Sequence, residues 1–302
     1  MTEMTANSKN RSGYVSIIGR PNAGKSTLLN CLIGQKLAIT SRKPQTTRHA
    51  ILGVKTEDRG QIIYVDTPGI HQRGEQAMNR YLNRTAKAML NDVDLILFVV
   101  DAMKWTTEDT AVLELLGTIK VPVILVINKL DQIEEREMLL PYIQDLSTKH
   151  PFCEIIPLSA KTGKNVSRLE KRVMELMPEG ENIFPEDQLT DRSERFFAAE
   201  LVREQLTRRY AKEIPYALTV EIEQFEDVGN MYRIGVLVWV EREGQKNIII
   251  GSKGEAIKAA ATQARIEMEK LFDKKVHLSV WIKVKKSWSS DESALARLGY
   301  SE

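Results

Sequence analysis

Residues 19–26 read GRPNAGKS and fit the pattern G-x-x-x-x-G-K-[ST] at every fixed position. The apolar run at 15–18 predicts a strand before this loop, and the run at 27–33 predicts a helix after it. Backbone N–H groups of such a loop converge on phosphate oxygens, and the helix N-terminus adds partial positive charge. Lys25 would reach the outer phosphates, and the Ser26 hydroxyl would ligate Mg²⁺. The stretch therefore predicts an α/β unit with a phosphate site at the end of its first strand.

Three later motifs, each at the end of an apolar strand, predict which nucleotide is bound. DTPG at 66–69 places a carboxylate where it can hold a Mg²⁺ water and a glycine N–H near the γ-phosphate. NKLD at 128–131 ends in Asp131, whose carboxylate would accept two hydrogen bonds from guanine. Adenine offers no such pair of donors, so we expect this carboxylate to be buried and to reject adenine. SAK at 159–161 offers backbone N–H groups to the guanine O6. Ligands of open α/β sheets bind at the carboxyl ends of strands, so the combination favours GTP.

The joint pattern resembles the GTPase family of P-loop proteins. The resemblance assigns GTP binding to Gly19, Arg20, Pro21, Asn22, Ala23, Gly24, Lys25, Ser26, Thr27, Asp66, Thr67, Pro68, Gly69, Asn128, Lys129, Asp131, Ser159, Ala160 and Lys161. The stretch after Pro44 is similar to the switch I region of bacterial regulatory GTPases and comprises Gln45, Thr46, Thr47, Arg48 and His49. By this resemblance Thr47, rather than Thr46, joins Ser26 and a water on Asp66 around Mg²⁺.

Two positions bear on the hydrolysis mechanism. Ile70 stands where Ras-like proteins carry the glutamine that orients the attacking water, and isoleucine cannot orient water by hydrogen bonding. We therefore expect slow intrinsic hydrolysis or help from elsewhere. Asn22 lies where related GTPases hold a potassium ion (K⁺) against the phosphates, which would supply the charge of an arginine finger. A hydrogen bond that shapes the loop is the alternative role for Asn22.

Length and composition set broad limits. The chain has 302 residues, which predicts two domains, and its formal net charge of +2 gives no overall basic field. Cys31 and Cys153 are expected to be small buried residues, without a disulfide framework or a zinc site, which fits a reducing cytoplasm. No apolar run reaches about 18 residues, so no membrane span is expected. We expect residues 1–12 to be disordered, because they are polar and lack the apolar core of a signal peptide.

Residues 13–177 alternate predicted strands and helices, which is typical of a mostly parallel sheet with right-handed crossovers. The strands are expected at 14–18, 95–100, 123–127 and 155–158, and the helices near 26–34, 76–91, 107–118, 134–149 and 165–177. A hairpin formed by 49–57 and 61–65 adds one antiparallel strand. Proline and acidic residues at 178–192 predict a linker that buries little.

Residues 193–302 predict a smaller α+β domain. A helix near 193–212, a hairpin of 217–225 and 232–241, a helical pair ending with 255–272 and a strand at 276–284 follow in order. The loop GSKG between the paired helices resembles the RNA-binding KH motif, and the element order resembles the type II KH topology. Residues 246–286 carry ten Lys or Arg and four Asp or Glu, a local net charge of +6. The resemblance assigns RNA binding to Gly251, Ser252, Lys253, Gly254 and Lys258.

A GTPase domain followed by a KH domain closely resembles the Era family of bacterial ribosome-assembly GTPases, from about residue 13 onward. Further stretches that look like this family are 44–48, 184–187, 191–193, 240–246 and 298–300. The resemblance implies binding near the 3′ end of small-subunit ribosomal RNA and action on the immature small ribosomal subunit. It also implies a cytoplasmic pool with a peripheral inner-membrane fraction, and we expect a monomer. Trp281 or Trp288 would stack on bases, while one of the two is expected in the core.

The predicted mechanism is a switch in which GTP and Mg²⁺ order Thr47 and the loop after Gly69, and hydrolysis releases them. One alternative is an RNA-binding scaffold with GTP as a structural ligand, which measurable GTP turnover would exclude. Another is a tRNA-modification GTPase, a relative that shares Asn22 and the paired threonines. The KH-like unit argues against that relative, which would need a separate domain for chemistry on a base.

Overall fold

The computed structural model describes residues 10–41, 43, 45–69, 77–90, 92–210, 214–297 and 300. The chain packs into two compact units, which are not continuous in sequence. The first unit consists of Met1–Ala38, Ala50–Gln72 and Arg84–Asp191, and the second of Ile39–His49, Arg73–Asn83 and Arg192–Glu302. Two segments that we assigned to the first domain therefore belong to the second unit. For residues 77–83 the reason is apolar packing, because Met78, Tyr81 and Leu82 form one buried cluster with Trp288 and Tyr300.

The first unit is a six-stranded sheet flanked by helices. Its strands are β1 (Arg11–Ile18), β2 (Ile51–Glu57), β3 (Gly60–Asp66), β4 (Leu95–Asp101), β5 (Val123–Asn128) and β6 (Glu154–Pro157). Its helices are α1 (Lys25–Ile33), α2 (Ala77–Ala88, shared with the second unit), α3 (Thr107–Leu116), α4 (Leu139–Ser147) and α5 (Val166–Leu176). The strand order is β2-β3-β1-β4-β5-β6, and only β2 runs antiparallel to its neighbour. This confirms the predicted mostly parallel sheet.

The central strands read as continuous apolar runs because helices cover both faces of a parallel sheet. Phe98 of β4 and Leu125 of β5 are fully buried, and they pack in one cluster with Val112 of α3 and Leu146 of α4. Three of the parallel strands end in a polar residue where they leave this core, β3 at Asp66, β4 at Asp101 and β5 at Asn128. Those carboxyl ends lie side by side at one edge of the sheet.

Several expected boundaries were wrong. β1 begins at Arg11, inside the segment expected to be disordered, because the backbone there pairs with Gly60 of β3. α4 begins at Leu139 rather than 134, since single 3₁₀ turns at Leu130–Gln132 and Arg136–Met138 precede it.

The segment 178–192 contains no helix or strand, as a linker should, and its residues 178–191 belong to the first unit. The buried Gln61 side chain accepts hydrogen bonds from the backbone N–H groups of Ile183 and Phe184 and donates one to the Phe184 carbonyl. All residues of the segment are exposed or half-buried, as the expectation that it buries little requires, and these hydrogen bonds fix it to β3. The two cysteines differ from expectation, because Cys31 is half-buried and Cys153 is exposed.

The second unit contains a three-stranded sheet. Its further elements are α6 (Glu194–Arg209), β7 (Leu218–Asp227), β8 (Met231–Val240), α7 (Glu243–Ile250), α8 (Glu255–Phe272), β9 (Lys275–Val284) and α9 (Glu292–Arg297). The order is β7-β8-β9, with β7 antiparallel and β9 parallel to β8. Alternate residues of the strands, such as Ile234 and Val236 of β8, pack in one cluster with Leu201 of α6 and Ala264 of α8. The predicted α+β order is confirmed. Among the described residues, no helix has the length and apolar character that crossing a membrane requires.

Candidate nucleotide site and nucleic-acid groove

The phosphate loop closes around the side chain of Lys25. Its Nζ donates to the carbonyls of Gly19 at 3.1 Å and Arg20 at 3.0 Å, and burial lowers its pKa to about 8. Gly19 has φ +148°, and a Cβ there would stand 2.3 Å from the carbonyl oxygen of Val99. The loop thus needs glycine at this turn, and a phosphate bound in it would favour the charged form of the ammonium.

A hydroxyl and a carboxylate meet at the end of the loop. Ser26 Oγ donates to Asp66 Oδ2 at 2.7 Å, and Asp66 ends β3 in a fully buried position. Thr67 Oγ1 donates to the Ile17 carbonyl at 2.9 Å, which fixes the chain beyond Asp66 to β1. Oxygen ligands of these two kinds suit Mg²⁺, which also retains waters and phosphate oxygens. No group of three or more His, Cys, Asp or Glu that could hold a metal occurs in the described part of the chain.

Asn128 joins three of the predicted loops through one amide. Its Nδ2 donates to the Ala23 carbonyl at 2.9 Å in the phosphate loop. Its Oδ1 accepts from Lys129 N at 2.7 Å and from Ala160 N at 3.0 Å. A Cβ on Gly24 would stand 2.2 Å from the same Nδ2. Asn128 therefore ties the phosphate loop to the loops predicted to hold guanine, a role that the sequence analysis did not specify.

The carboxylate predicted to read guanine is exposed rather than buried. Asp131 lies in the 3₁₀ turn after β5, and its Oδ1 accepts a hydrogen bond from Ser159 Oγ at 2.5 Å. Ser159 itself is fully buried, and Lys161 two residues later is exposed. Ser159 thus holds the side chain of Asp131 from the protein side, and the carboxylate is open toward solvent, where a base can reach it.

Two acidic residues that hold the site together were missed. Arg20 Nε donates to Asp109 Oδ2 at 3.0 Å, and its Nη2 lies 3.4 Å from Asp101 Oδ2. Lys129 Nζ contacts the same Asp101 oxygen at 2.7 Å. Asp101 ends β4, so the strand-end rule that found the other motifs would have found it. Asp109 is a buried acid that also caps α3 with Thr106, and its sequence context carries no signal for the contact with Arg20.

Three further positions of the sequence analysis remain, of which one is described. Gly69 packs against the phosphate loop, where a Cβ on it would stand 2.9 Å from Pro21 Cγ. Ile70, which we expected to limit water activation, and Pro44 lie outside the described residues.

The predicted switch I segment is part of the second unit, where Arg48 is 1% exposed. Its guanidinium donates to the carbonyls of Leu218 at 2.8 Å and Pro215 at 2.9 Å and lies 3.3 Å from the Tyr300 hydroxyl. His49 stacks on the Tyr300 ring with centroids 4.8 Å apart, and burial lowers the His49 pKa to about 4. The assignment of these residues to switch I did not predict this packing.

The two threonines of the segment are in different surroundings. The Thr46 hydroxyl donates to the Lys43 carbonyl at 2.6 Å and lies 2.7 Å from Ser41 Oγ, so it is used within its own loop. The Thr46 carbonyl accepts a hydrogen bond from Arg203. Thr47 is buried in the same unit, and its assignment to Mg²⁺ stays a prediction.

The GSKG loop joins α7 to α8 in the second unit. Gly251 has φ +72°, and a Cβ on it would stand 2.5 Å from the Cβ of Ala256. Gly254 has φ +79° and precedes the first turn of α8. Ser252 and Lys253 between them are exposed. Both glycines are therefore needed for the turn, and the loop presents its backbone and one lysine to solvent.

A groove of about 290 Å³ runs beside this loop between α8 and β9. Its walls are apolar at Ile257, Leu278 and Val280 and basic at Lys258 and Arg265. Lys258 also lines a second groove of about 690 Å³ toward α6. Apolar walls with cations along one side suit the bases and phosphates of a single-stranded nucleic acid.

Comparisons with known proteins support both the GTPase and the KH assignments. Residues 14–129 match the family described as a 50S ribosome-binding GTPase, and residues 213–289 match the KH domain. The chain is 58% identical to GTPase Era of Pseudomonas aeruginosa over 292 residues, which are 97% of this chain and 96% of that relative. The chain belongs to the GTPase Era family. GTPase Era of Azotobacter vinelandii is 56% identical over 299 residues, 99% of this chain and all of the relative.

Solved Era structures share the fold. Era in complex with MgGDPNP and nucleotides 1506–1542 of 16S ribosomal RNA has a TM-score of 0.94, and an Aquifex aeolicus Era variant bound to GDP·AlF₄⁻ has 0.92. Each is 39% identical and covers 97% of this chain and 100% of its own. The predicted family, the fold class and the assignment as a GTPase are thereby confirmed. The GTPase match includes Ile39–His49, so this part of the Era sequence belongs to the GTPase by homology and to the second unit by packing.

Proposed function

We propose that the chain is a GTP-hydrolysing switch that binds single-stranded RNA near the 3′ end of small-subunit ribosomal RNA and assists assembly of the small ribosomal subunit. The observation that carries this proposal is that one relative, whose structure covers 97% of this chain, holds MgGDPNP and a 16S RNA segment in a single complex. GTP turnover by the purified protein, measured with and without Mg²⁺, separates this function from a scaffold that only binds GTP.

In the proposed nucleotide site, the loop 19–26 binds the phosphates and Asn128, Asp131 and the segment 159–161 surround guanine. The Asn128 hydrogen bonds support this arrangement, because they fix the three loops to one another. Mg²⁺ would be held by Ser26 and, through a water, by Asp66, whose oxygens already lie 2.7 Å apart. Thr47 completes the metal shell when GTP is bound, as the family resemblance implies.

For hydrolysis, we propose a potassium ion held by Asn22. Asn22 is exposed, and its φ of +61° lies in the left-handed region, which asparagine tolerates well. We expect GTP turnover to be faster in potassium than in sodium, and Asn22→Ala to remove the difference. Asn22→Gly is the matched control, because glycine keeps the backbone conformation and removes only the side chain. It should bind GTP normally and show no potassium effect.

Steady-state phosphate release in the two salts is the measurement. Equal wild-type rates would rule out the potassium ion and point to an external activator. Retention of the potassium effect in Asn22→Gly would assign Asn22 to loop shape alone.

For RNA, we propose that residues 251–254 clamp the sugar-phosphate backbone and that Lys258 contacts a phosphate. The apolar wall of the groove, at Ile257, Leu278 and Val280, would receive bases. We further propose a cytoplasmic, monomeric protein with a peripheral fraction at the inner membrane, as the family resemblance implies. GTP and GDP would favour different arrangements of the chain, and RNA would bind one of them more tightly.

A further inference from the structure

Trp281 differs in its surroundings from the other tryptophans of this chain. The sequence contains four tryptophans, and all four are described. Each of the other three packs against an aromatic ring or carries a cation near its face, namely Trp105 with Phe98, Trp239 with Lys283 and Lys285, and Trp288 with Tyr300. Trp281 is 49% exposed, and among the described residues no ring or cation lies within stacking distance of it. Exposing an indole in this way costs solvation free energy, which a ligand can recover.

The position of Trp281 follows from strand geometry. β9 is an edge strand, and its successive side chains point to opposite faces of the sheet. Leu278 and Val280 face α8 and line the groove beside the GSKG loop. Trp281 therefore projects from the other face at the same edge, one residue beyond Val280.

The sheet is shaped to keep the ring in place. A Cβ on Gly235 of β8 would stand 3.2 Å from Trp281 Cζ3, so the missing side chain at 235 leaves room for the indole. Leu237, directly opposite Trp281 in the β8–β9 register, is buried. The ring thus has an apolar floor on the protein side, as a stacking platform requires.

The charge of β9 itself favours a polyanion, and the acidic residues Glu221 and Glu223 of the same sheet face lie on β7 at the opposite edge. β9 contains Lys275, His277 and Lys283 and has no Asp or Glu, and Lys285 and Lys286 follow it. Lys283 is itself in an exposed ion pair with Glu223 at 3.4 Å, which is weak and exchangeable. An exposed aromatic face beside lysines is the combination with which proteins bind single-stranded nucleic acid.

We propose that Trp281 stacks on an unpaired base of the RNA strand, at a subsite reached when the strand passes from the α8–β9 groove over the edge of β9. This proposal rests on the proposed RNA-binding function. Stacking is tolerant of base identity, so the subsite adds affinity and fixes the register of the strand rather than reading its sequence.

The test is a binding titration with the RNA of nucleotides 1506–1542 named above, using the full chain. Trp281→Ala should weaken binding about 5- to 150-fold, the range for removal of one base–aromatic stack, and Trp281→Phe should recover most of this affinity. The slope of log affinity against log salt should not change, because the phosphates remain bound as before. GTP affinity and the melting temperature serve as folding controls.

A series of RNAs with one abasic nucleotide each locates the subsite. Wild-type protein should lose affinity at one particular position, and Trp281→Ala should be insensitive at that position. Tryptophan emission should be quenched by RNA in the wild type and in Trp105→Phe, and much less in Trp281→Phe. A folded Trp281→Ala protein that binds the RNA as tightly as wild type overturns the stacking proposal.

The outcome for the stacking site is separable from the outcome for the KH groove. If substitutions in the GSKG loop weaken RNA binding while Trp281→Ala does not, only the stacking proposal fails. If neither change affects binding, or the RNA does not bind, both the groove and the stacking site are wrong.

Discussion

Asp131→Asn is expected to reverse the base preference of the protein. The wild type should bind GTP about 10⁴-fold more tightly than ATP, because a carboxylate committed to two guanine donors is left unsatisfied by adenine. The asparagine amide presents a donor where guanine also donates, so the variant should bind GTP poorly and bind xanthosine triphosphate, which carries an extra carbonyl. Asp131 is exposed and held by Ser159, so the base itself removes the carboxylate from water when it binds.

Competition binding with GTP, ATP and xanthosine triphosphate measures this base preference. Asp145→Asn is the matched control, because it removes one exposed carboxylate of α4 and should leave the preference unchanged. Equal affinities of the wild type for ATP and GTP would show that Asp131 does not read the base.

The double variant Ser252→Asp, Lys253→Asp should bind RNA about 10²- to 10³-fold more weakly than the wild type. Two carboxylates at the tip of the GSKG loop would repel phosphates at close range, which costs several kcal/mol. The salt dependence should also flatten by about one unit of log–log slope for each phosphate that the loop no longer binds. Both residues are exposed, so we expect the variant to fold, and its GTP affinity should not change.

Thr118→Asp, Lys120→Asp is the control for charge alone. It makes the same change in net charge at two exposed positions of the first unit, after α3. Parallel titrations with RNA and with GTP should show normal affinities for this control. If the loop variant is folded and binds RNA like wild type, the KH assignment fails.

Much of the candidate nucleotide site was predictable because one geometric rule brings its residues together. Polar motifs at the carboxyl ends of parallel strands meet at one edge, and the apolar strands that precede those motifs are easy to recognise. The same rule extends to Asp101, which ends β4 and contacts both Arg20 and Lys129. It does not extend to Asp109, whose contact with Arg20 depends on where α3 packs.

The predicted switch I segment shows what sequence patterns leave out. Its residues are polar, and local pattern alone indicates a surface loop. Arg48 is nevertheless buried, because the backbone carbonyls of Pro215 and Leu218 accept hydrogen bonds from its guanidinium inside the second unit. Partners some 170 residues away in sequence leave no periodic signal in the segment itself. The stacking of His49 on Tyr300 is hidden for the same reason.

The expected start of α4 was wrong because of local hydrogen bonding. The stretch 134–149 has the composition of one helix, yet the backbone at 130–138 closes two 3₁₀ turns before α4 begins. In the linker, the buried amide of Gln61 makes hydrogen bonds with the backbone of residues 183 and 184. Such tertiary bonds leave no signal in the proline and acidic composition of the segment, which predicts only that it lacks a helix or strand.

In the proposed mechanism, one chain couples GTP binding to RNA binding. RNA affinity measured with a non-hydrolysable GTP analogue, with GDP and without nucleotide, in the presence of Mg²⁺, reports this coupling. We expect tighter RNA binding with the GTP analogue than with GDP, by about 5- to 150-fold, and an equal factor by which RNA tightens binding of the analogue relative to GDP. Identical RNA affinities in all three states would contradict the switch and leave an RNA-binding protein in which GTP has no influence on the RNA site.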